Sequence, residues 1–308
     1  MLHVVTLYLY LVASAIMCLP LGEECGINDG GLNHRQPRFN ESKSRLINGN
    51  ETLKGAWPWQ VSLQLLHPIF GFVGHWCAGV LIRPTWVLTA AHCIKNEKFN
   101  LPLAALWTAV LGDWNRDVEE WTEERISIEK IIVHHMFNNY QNDIALMKLS
   151  RSTNVSNTFV RYLCLSPLAN KAATFIPNVC ITTGWGKVKE NGPLSGKLRQ
   201  IKVSVHNASI CKDKYEPAVP ITDGHLCAGN LDTNGGRPCV GDSGGPLQCS
   251  GPDGRWYLAG LISFGSGCSR PGFPDVYTKL SYHLIWIIEQ INKYEEQKKI
   301  NGKNFYSL

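Results

Sequence analysis

The chain has 308 residues, 44% of them hydrophobic and 18% charged, with a formal net charge of +5. So few charges, beside ten Trp, ten Tyr and ten Phe, exclude a disordered, charge-swollen polypeptide and supply ample material for a packed core. The mild positive balance carries no long basic run, so no nucleic-acid partner is implied.

The first element is an uncharged apolar run from Val4 to Leu21. An apolar stretch followed by small residues reads as a secretory signal over residues 1–22, cut after Ala15 or nearer Gly22. It lacks a Lys or Arg in front of the apolar run, and its length also suits an uncleaved membrane anchor. Cysteine usage favours export. Of eleven Cys, Cys18 lies in this run and ten remain, an even number that suggests five disulfides in an oxidising compartment. None are spaced C-x-x-C, so zinc-ribbon and thioredoxin readings have no support. Asn40, Asn50, Asn154 and Asn207 each begin an Asn-x-Ser/Thr sequon and are glycosylation candidates in an exported chain.

Residues 23–45 are polar, rich in Gly and Asn and without periodicity, as expected of a pro-segment or linker. From Trp59 the pattern changes: Trp59–Gln64 alternates apolar and polar residues, the period of a half-buried strand. Similar short runs cover 79–82, 107–111, 126–133, 144–149, 179–183, 198–205, 256–264 and 276–280. Gly, Pro, Asn and Asp punctuate them, which predicts antiparallel barrels or sandwiches rather than a parallel sheet. Helical spacing is convincing only at Leu284, Ile285, Ile287, Ile288 and Ile291, a helix of about three turns that packs on the barrel or lies on a membrane surface. The polar tail 298–308 is expected to fray.

Three segments carry chemistry. The run from Trp86 reads as a strand that ends in His92 beside Cys93; Asp143 enters the apolar run Ile144–Leu149; and Ser243 lies in Gly241-Asp242-Ser243-Gly244-Gly245-Pro246. Each alone has a plain structural reading: a satisfied histidine, a turn cap, a glycine turn. Together they supply what a serine nucleophile needs. A hydroxyl attacks poorly near pH 7 without a neighbouring base, histidine titrates in the right range, and a carboxylate orients the imidazole.

With these residues the chain resembles the trypsin/chymotrypsin family of serine proteases over residues 46–295, in the order His, Asp, Ser. The resemblance implies an all-β fold of two six-stranded antiparallel barrels with a short C-terminal helix, and a peptidase domain over 46–297. It makes Ser243 the nucleophile, His92 the general base and acid, Asp143 the orienting carboxylate, and the amides of Gly241 and Ser243 the oxyanion hole. It pairs the cysteines as Cys77–Cys93, Cys180–Cys249, Cys211–Cys227, Cys239–Cys268 and Cys25–Cys164, the last tethering the pro-segment. Ser44-Arg45-Leu46-Ile47-Asn48-Gly49 matches the family's activation site, so cleavage after Arg45 would free the amino group of Leu46 to pair with Asp242. Most relatives begin with Ile, and Leu46 departs from that. Implied partners are protein or peptide substrates, an activating trypsin-like protease and protein inhibitors.

The specificity pocket departs further. The floor position, Asp in trypsin-like members, is Arg237, and Asp275 stands where a small Gly is usual. Ser263, Gly265 and Gly267 keep the family's pattern, while Phe264 replaces a common Trp. We expect Arg237 and Asp275 to pair across the floor and leave a shorter pocket for small or medium apolar side chains. No cofactor is required. Asp113, Asp117, Glu119, Glu120 and Glu123 form a candidate calcium loop, read otherwise as a solvated acidic face. Two rivals stand: an α/β-hydrolase, whose nucleophile elbow needs a strand before the serine and a helix after it, and a non-catalytic binding protein on the protease scaffold.

Overall fold

The computed structural model describes residues 25–28, 49–95, 100–155, 157–165, 179–188, 191–231, 238–267 and 271–304. Among the described residues fourteen strands appear in chain order: β1 Asn50–Glu51, β2 Gln60–His67, β3 Gly71–Arg83, β4 Trp86–Thr89, β5 Trp107–Leu111, β6 Glu124–Val133, β7 Ala145–Leu149, β8 Cys164–Leu165, β9 Cys180–Gly184, β10 Arg199–His206, β11 His225–Gly229, β12 Pro246–Ser250, β13 Trp256–Phe264 and β14 Asp275–Lys279. Among the described residues two α-helices join them, α1 Ala208–Tyr215 and α2 Leu280–Asn304.

Six strands close one barrel in the order β2-β3-β4-β7-β6-β5. The order β10-β11-β14-β13-β12-β9, shut by the β9–β10 pairing, forms the second; β1 joins β10, and β8 runs parallel to β13. Closure removes exposed edges, so both faces of most strands are covered. Inside-outside alternation shows on β6, with Ile126 and Ile128 buried and Arg125 and Ser127 outward, and on β10, with Ile201 and Val203 buried and Lys202 and Ser204 exposed. An antiparallel pair of barrels excludes the α/β-hydrolase reading, and Ser243 is followed by β12 rather than a helix.

The barrels meet on buried aromatic and amide groups. Trp57 packs edge-on against Trp59 and Trp256, and its indole donates to Gln200 Oε1 at 2.8 Å. Trp59 donates to Gln248 Oε1 at 2.6 Å, and Thr183 Oγ1 donates to Gln60 Oε1 at 2.7 Å. A buried indole N–H without a partner would be costly, so these bonds fix how the barrels face each other.

Four disulfides match the expected pairing: Cys25–Cys164, Cys77–Cys93, Cys180–Cys249 and Cys211–Cys227. Cys239 is also disulfide-bonded, while its expected partner Cys268 lies outside the described residues. The C-terminal helix is longer than its apolar spacing predicts, 25 residues rather than about three turns. Leu284, Ile287, Ile288 and Ile291 are buried, but Ile285 faces outward. The polar half persists because barrel one gives it partners. Tyr294 stacks edge-on with Trp86 and bonds Glu129, Trp86 donates to Glu295, and Lys298 reaches Glu129. Residues 298–304 are therefore helical rather than frayed. Among the described residues no helix is long and apolar enough to cross a membrane.

Candidate active site

The barrel register brings the histidine and the acid together. Thr89 at the end of β4 pairs with Ala145 at the start of β7. His92 in the 3-10 turn Ala91–Cys93 and Asp143 just before β7 therefore lie at one end of the barrel. Asp143 is fully buried, and its Oδ1 accepts the His92 backbone N–H at 2.8 Å. Its Oδ2 lies 2.7 Å from His92 Nδ1 and accepts Ser263 Oγ–H at 2.5 Å. Thr278 Oγ1 donates to the Asp143 carbonyl at 2.7 Å, so β13 and β14 of the second barrel hold a residue of the first.

Burial opposes the Asp143 charge, but His92 and these hydrogen bonds hold its carboxyl below the ordinary range. Burial likewise opposes a charged His92, yet the Asp143 carboxylate prevails and raises the imidazole above 6.5. An ionised carboxylate only accepts, so Nδ1 carries the ring proton and Nε2 keeps a lone pair, as a general base requires. The His92 side chain is 18% exposed, enough to meet a substrate.

The serine segment comes from barrel two and packs on the histidine's approach. The carbonyl of half-buried Ser243 accepts the Ala78 N–H at 2.8 Å and lies 3.8 Å from the Cys93 sulfur. Gly244 has φ +77°, and a Cβ there would fall 2.2 Å from Thr89 Oγ1 and 2.9 Å from Ala90 N. Only glycine lets the residue after the serine press against the end of β4 and Ala90, two positions before His92.

Two residues that sequence reasoning passed over shape the site. His75 Nε2 bonds the Gly241 carbonyl at 2.8 Å, while its Nδ1 lies 2.7 Å from Ser62 Oγ. A carbonyl only accepts, so Nε2 donates and Ser62 caps Nδ1. Burial lowers His75 to about 4, which keeps it neutral. With its carbonyl held there, Gly241 adopts φ +100°. Tyr140, itself at φ +61°, packs 5.8 Å from the His92 ring and 4.9 Å from Phe264, forming a wall of the cleft. His75 sits two residues before Cys77, outside the strand runs legible in the sequence, and its partner is 166 positions away.

Asp242 turns inward, 8% exposed. Its Oδ2 accepts Cys239 N–H at 2.8 Å and its Oδ1 accepts Gly186 N–H at 2.7 Å. Among the described residues it has no ion-pair partner. Burial pushes its carboxyl up to about 6, against those two amides and the distant Arg199. A cavity lined by Thr182, Lys187, Arg199, Ile201 and Pro238 opens onto it.

A family model described as Trypsin matches residues 46–287. The chain belongs to the trypsin/chymotrypsin family of serine proteases. It is 38% identical to chymotrypsin-like elastase family member 3A of Homo sapiens, over 83% of this chain and 92% of that protein. It is 37% identical to Trypsin-1 of Astacus astacus, over 79% and 98%. To Proproteinase E of Bos taurus it is 37% identical, over 82% and 97%.

Against the family's pocket, the substituted residue Asp275 is 4% exposed at the start of β14. A Cβ on Gly265 would stand 2.5 Å from Asp275 Oδ1, and one on Gly229 3.4 Å from Oδ2. The carboxylate thus lies between Gly229 at the end of β11 and Gly265 just after β13, and Gly265 is needed to admit it. Ser263 is committed to Asp143, while Phe264 packs on Tyr140 and Tyr215. Gly267 takes φ +74°. Arg237, Arg45, Leu46 and Asn40 lie outside the described residues.

Of the five acidic residues between 113 and 123, three converge. One oxygen each from Asp113, Glu120 and Glu123 lies within 4.8 Å of the others, while Asp117 and Glu119 are exposed. Glu120 and Glu123 accept backbone N–H groups of the loop, which aim them, and Lys54 reaches Glu120 at 3.2 Å. Asp113 Oδ1 is buried without a hydrogen bond. Burial and the Glu123 charge raise Asp113 to about 6. Hard oxygens with an orphaned member fit a calcium ion.

Proposed function

We propose that the protein is a secreted serine endopeptidase made as a zymogen. Ser243 attacks the scissile carbonyl while His92 takes the hydroxyl proton through Nε2. Asp143 stabilises the resulting imidazolium, and the Gly241 and Ser243 amides receive the oxyanion. His92 then gives its proton to the leaving amine, and water releases the acyl group by the same steps in reverse. The observation that carries this reading is the buried Asp143 held by both barrels and bonded to His92 Nδ1 at 2.7 Å.

Cleavage after Arg45 frees the Leu46 ammonium, which neutralises Asp242 from the cavity that opens onto it. The Cys25–Cys164 bridge keeps the excised segment attached. Pairing of Arg237 with Asp275 shortens the pocket, so small and medium apolar side chains are preferred over Lys and Arg. A separate trypsin-like protease is then needed to cut at Arg45, and protein inhibitors that mimic substrate would fill the same cleft. Residues 1–22 serve as the signal, 23–45 as the pro-segment and 46–297 as the peptidase domain; Asn50, Asn154 and Asn207 are the glycosylation candidates among the described residues.

Treatment of the chain with trypsin, then a fluorophosphonate, tests this directly. Covalent label on Ser243 that depends on the Arg45 cut supports it. Its absence after complete cleavage leaves a binding protein on a protease scaffold. A peptide library read on the same material should show apolar residues before the scissile bond; strong Lys or Arg preference defeats the Arg237–Asp275 pairing.

We also propose that Asp113, Glu120 and Glu123 hold a structural calcium ion. At ten times its Kd, calcium should raise the thermal midpoint by about 3–6 °C. Magnesium should not, and Glu123→Gln should remove the gain. A midpoint indifferent to calcium refutes the site.

A further inference from the structure

The hairpin joining β2 to β3 is unlike the rest of the surface. Leu66, Ile69, Phe70, Phe72 and Val73 are 50%, 82%, 76%, 68% and 41% exposed. Leu103, 63% exposed, precedes the 3-10 turn Ala104–Leu106 that packs against β2, and so extends the same surface at the hairpin's base. Single exposed apolar residues are ordinary, but a contiguous group of this size marks an interaction surface.

The tip is preformed. His67 Nδ1 accepts the N–H groups of Ile69 and Phe70 at 3.1 and 3.3 Å, and its ring lies 4.6 Å from Phe70. The tip also stands clear of the body. A Cβ on Gly71 would meet nothing within 4 Å, and one on Gly74 only the ring of Phe72. A convex apolar tip cannot enclose a substrate side chain, which needs a concave pocket, nor offer a second copy a flat self-complementary face. It suits a soft apolar phase.

Charge decides which. From Thr52 to Asn96 the sequence contains no Asp or Glu, and of its cations Lys54 pairs with Glu120 while Lys95 is exposed. Arg125 lies 3.4 Å from Gln64, two residues before Leu66, and Lys95 is exposed beyond His92. We propose that the Leu66–Val73 hairpin inserts into a lipid surface bearing anionic headgroups, with Arg125 and Lys95 facing those headgroups. From Phe70, β3 leads to Cys77, whose bridge to Cys93 adjoins His92. Seven residues of strand span roughly 23 Å, so docking holds the cleft close to the lipid plane and favours substrates displayed there.

The chain freed of residues 1–22 would be sedimented with phosphatidylcholine vesicles with and without phosphatidylserine. The expected result is binding that requires phosphatidylserine, weakens with salt, and falls more than about tenfold in Ile69→Ser/Phe70→Ser. An unchanged thermal midpoint certifies that the variant is folded, and Lys95→Glu, which leaves the hairpin intact, should weaken binding independently. No binding, equal binding to vesicles lacking phosphatidylserine, or equal binding by the double variant overturns the proposal. Dimerisation abolished by the same double variant, without vesicle binding, overturns it in favour of a second copy.

Discussion

Ser243→Ala in the chain cut after Arg45 should lower kcat by on the order of 10⁶-fold, with His92→Ala nearly as damaging. The losses are similar, and not additive in the double variant, because each residue is useless without the other. Asp143→Asn should cost about 10⁴-fold, since an amide facing Nδ1 permits the wrong tautomer and offers no charge to the imidazolium. These magnitudes belong to the triad mechanism in general; the pH dependence comes from this structure. His92 must be neutral to act as base, and Asp143 raises its pKa above 6.5. Activity should therefore climb with pH through a limb centred above 6.5. In Asp143→Asn that limb should move to lower pH, because the charge that favoured the imidazolium is gone. Stability runs the other way: the His92⁺–Asp143⁻ attraction is fully present below 6.5 and is lost as pH rises through the folded-state value. Steady-state rates across pH for the three variants check all of this. A Ser243→Ala protein retaining a tenth of its activity would point to another nucleophile.

The barrels and the His92–Asp143 pair were legible in the sequence wherever the signal was local. Val87 and Leu88 lead into His92 as a strand, and the glycines around Ser243 announce close approach. Elements with weak local signal were not. β11, His225–Gly229, ends in Ala-Gly and does not alternate, and β12 opens on Pro246, which leaves only the four residues Leu247–Ser250 to alternate. Helix α1 buries only Cys211 and has no apolar face to read; it is defined by the Asn207 cap and the Cys211–Cys227 bridge. β3 was visible only from Gly79 because its first residues form the exposed hairpin. Long-range polar contacts were invisible for a different reason. Nothing near His75 says that it will meet Gly241, or near Ser263 that its hydroxyl will be spent on Asp143. Likewise five acids suggested a calcium loop, but which three converge is set by backbone amides that no composition rule records.

Asp242 should make the cut and uncut chains differ in stability, and only above a definable pH. In the structure its carboxyl is pushed up to about 6 by burial, against an ordinary value of 3.8. A folded-state pKa above the unfolded one means that the residue's contribution is fully present below 3.8 and is lost as pH rises through about 6. The shift corresponds to about 3 kcal/mol at neutral pH. A docked Leu46 ammonium reverses it by giving the carboxylate a partner where none stands among the described residues. Cutting after Arg45 should therefore raise the thermal midpoint by up to roughly 10 °C at pH 7.5, and by little below pH 4. Asp242→Asn should abolish that pH-dependent gap. The same substitution should lower kcat in the cut chain by about 10²–10³-fold, because Gly241 and Ser243 flank Asp242 and their amides lose the anchor that aims them. The two readouts separate the causes: a fold effect alone would lower stability in both forms without erasing the difference between them. If cut Asp242→Asn keeps full kcat, the ammonium–carboxylate pair does not organise the oxyanion loop.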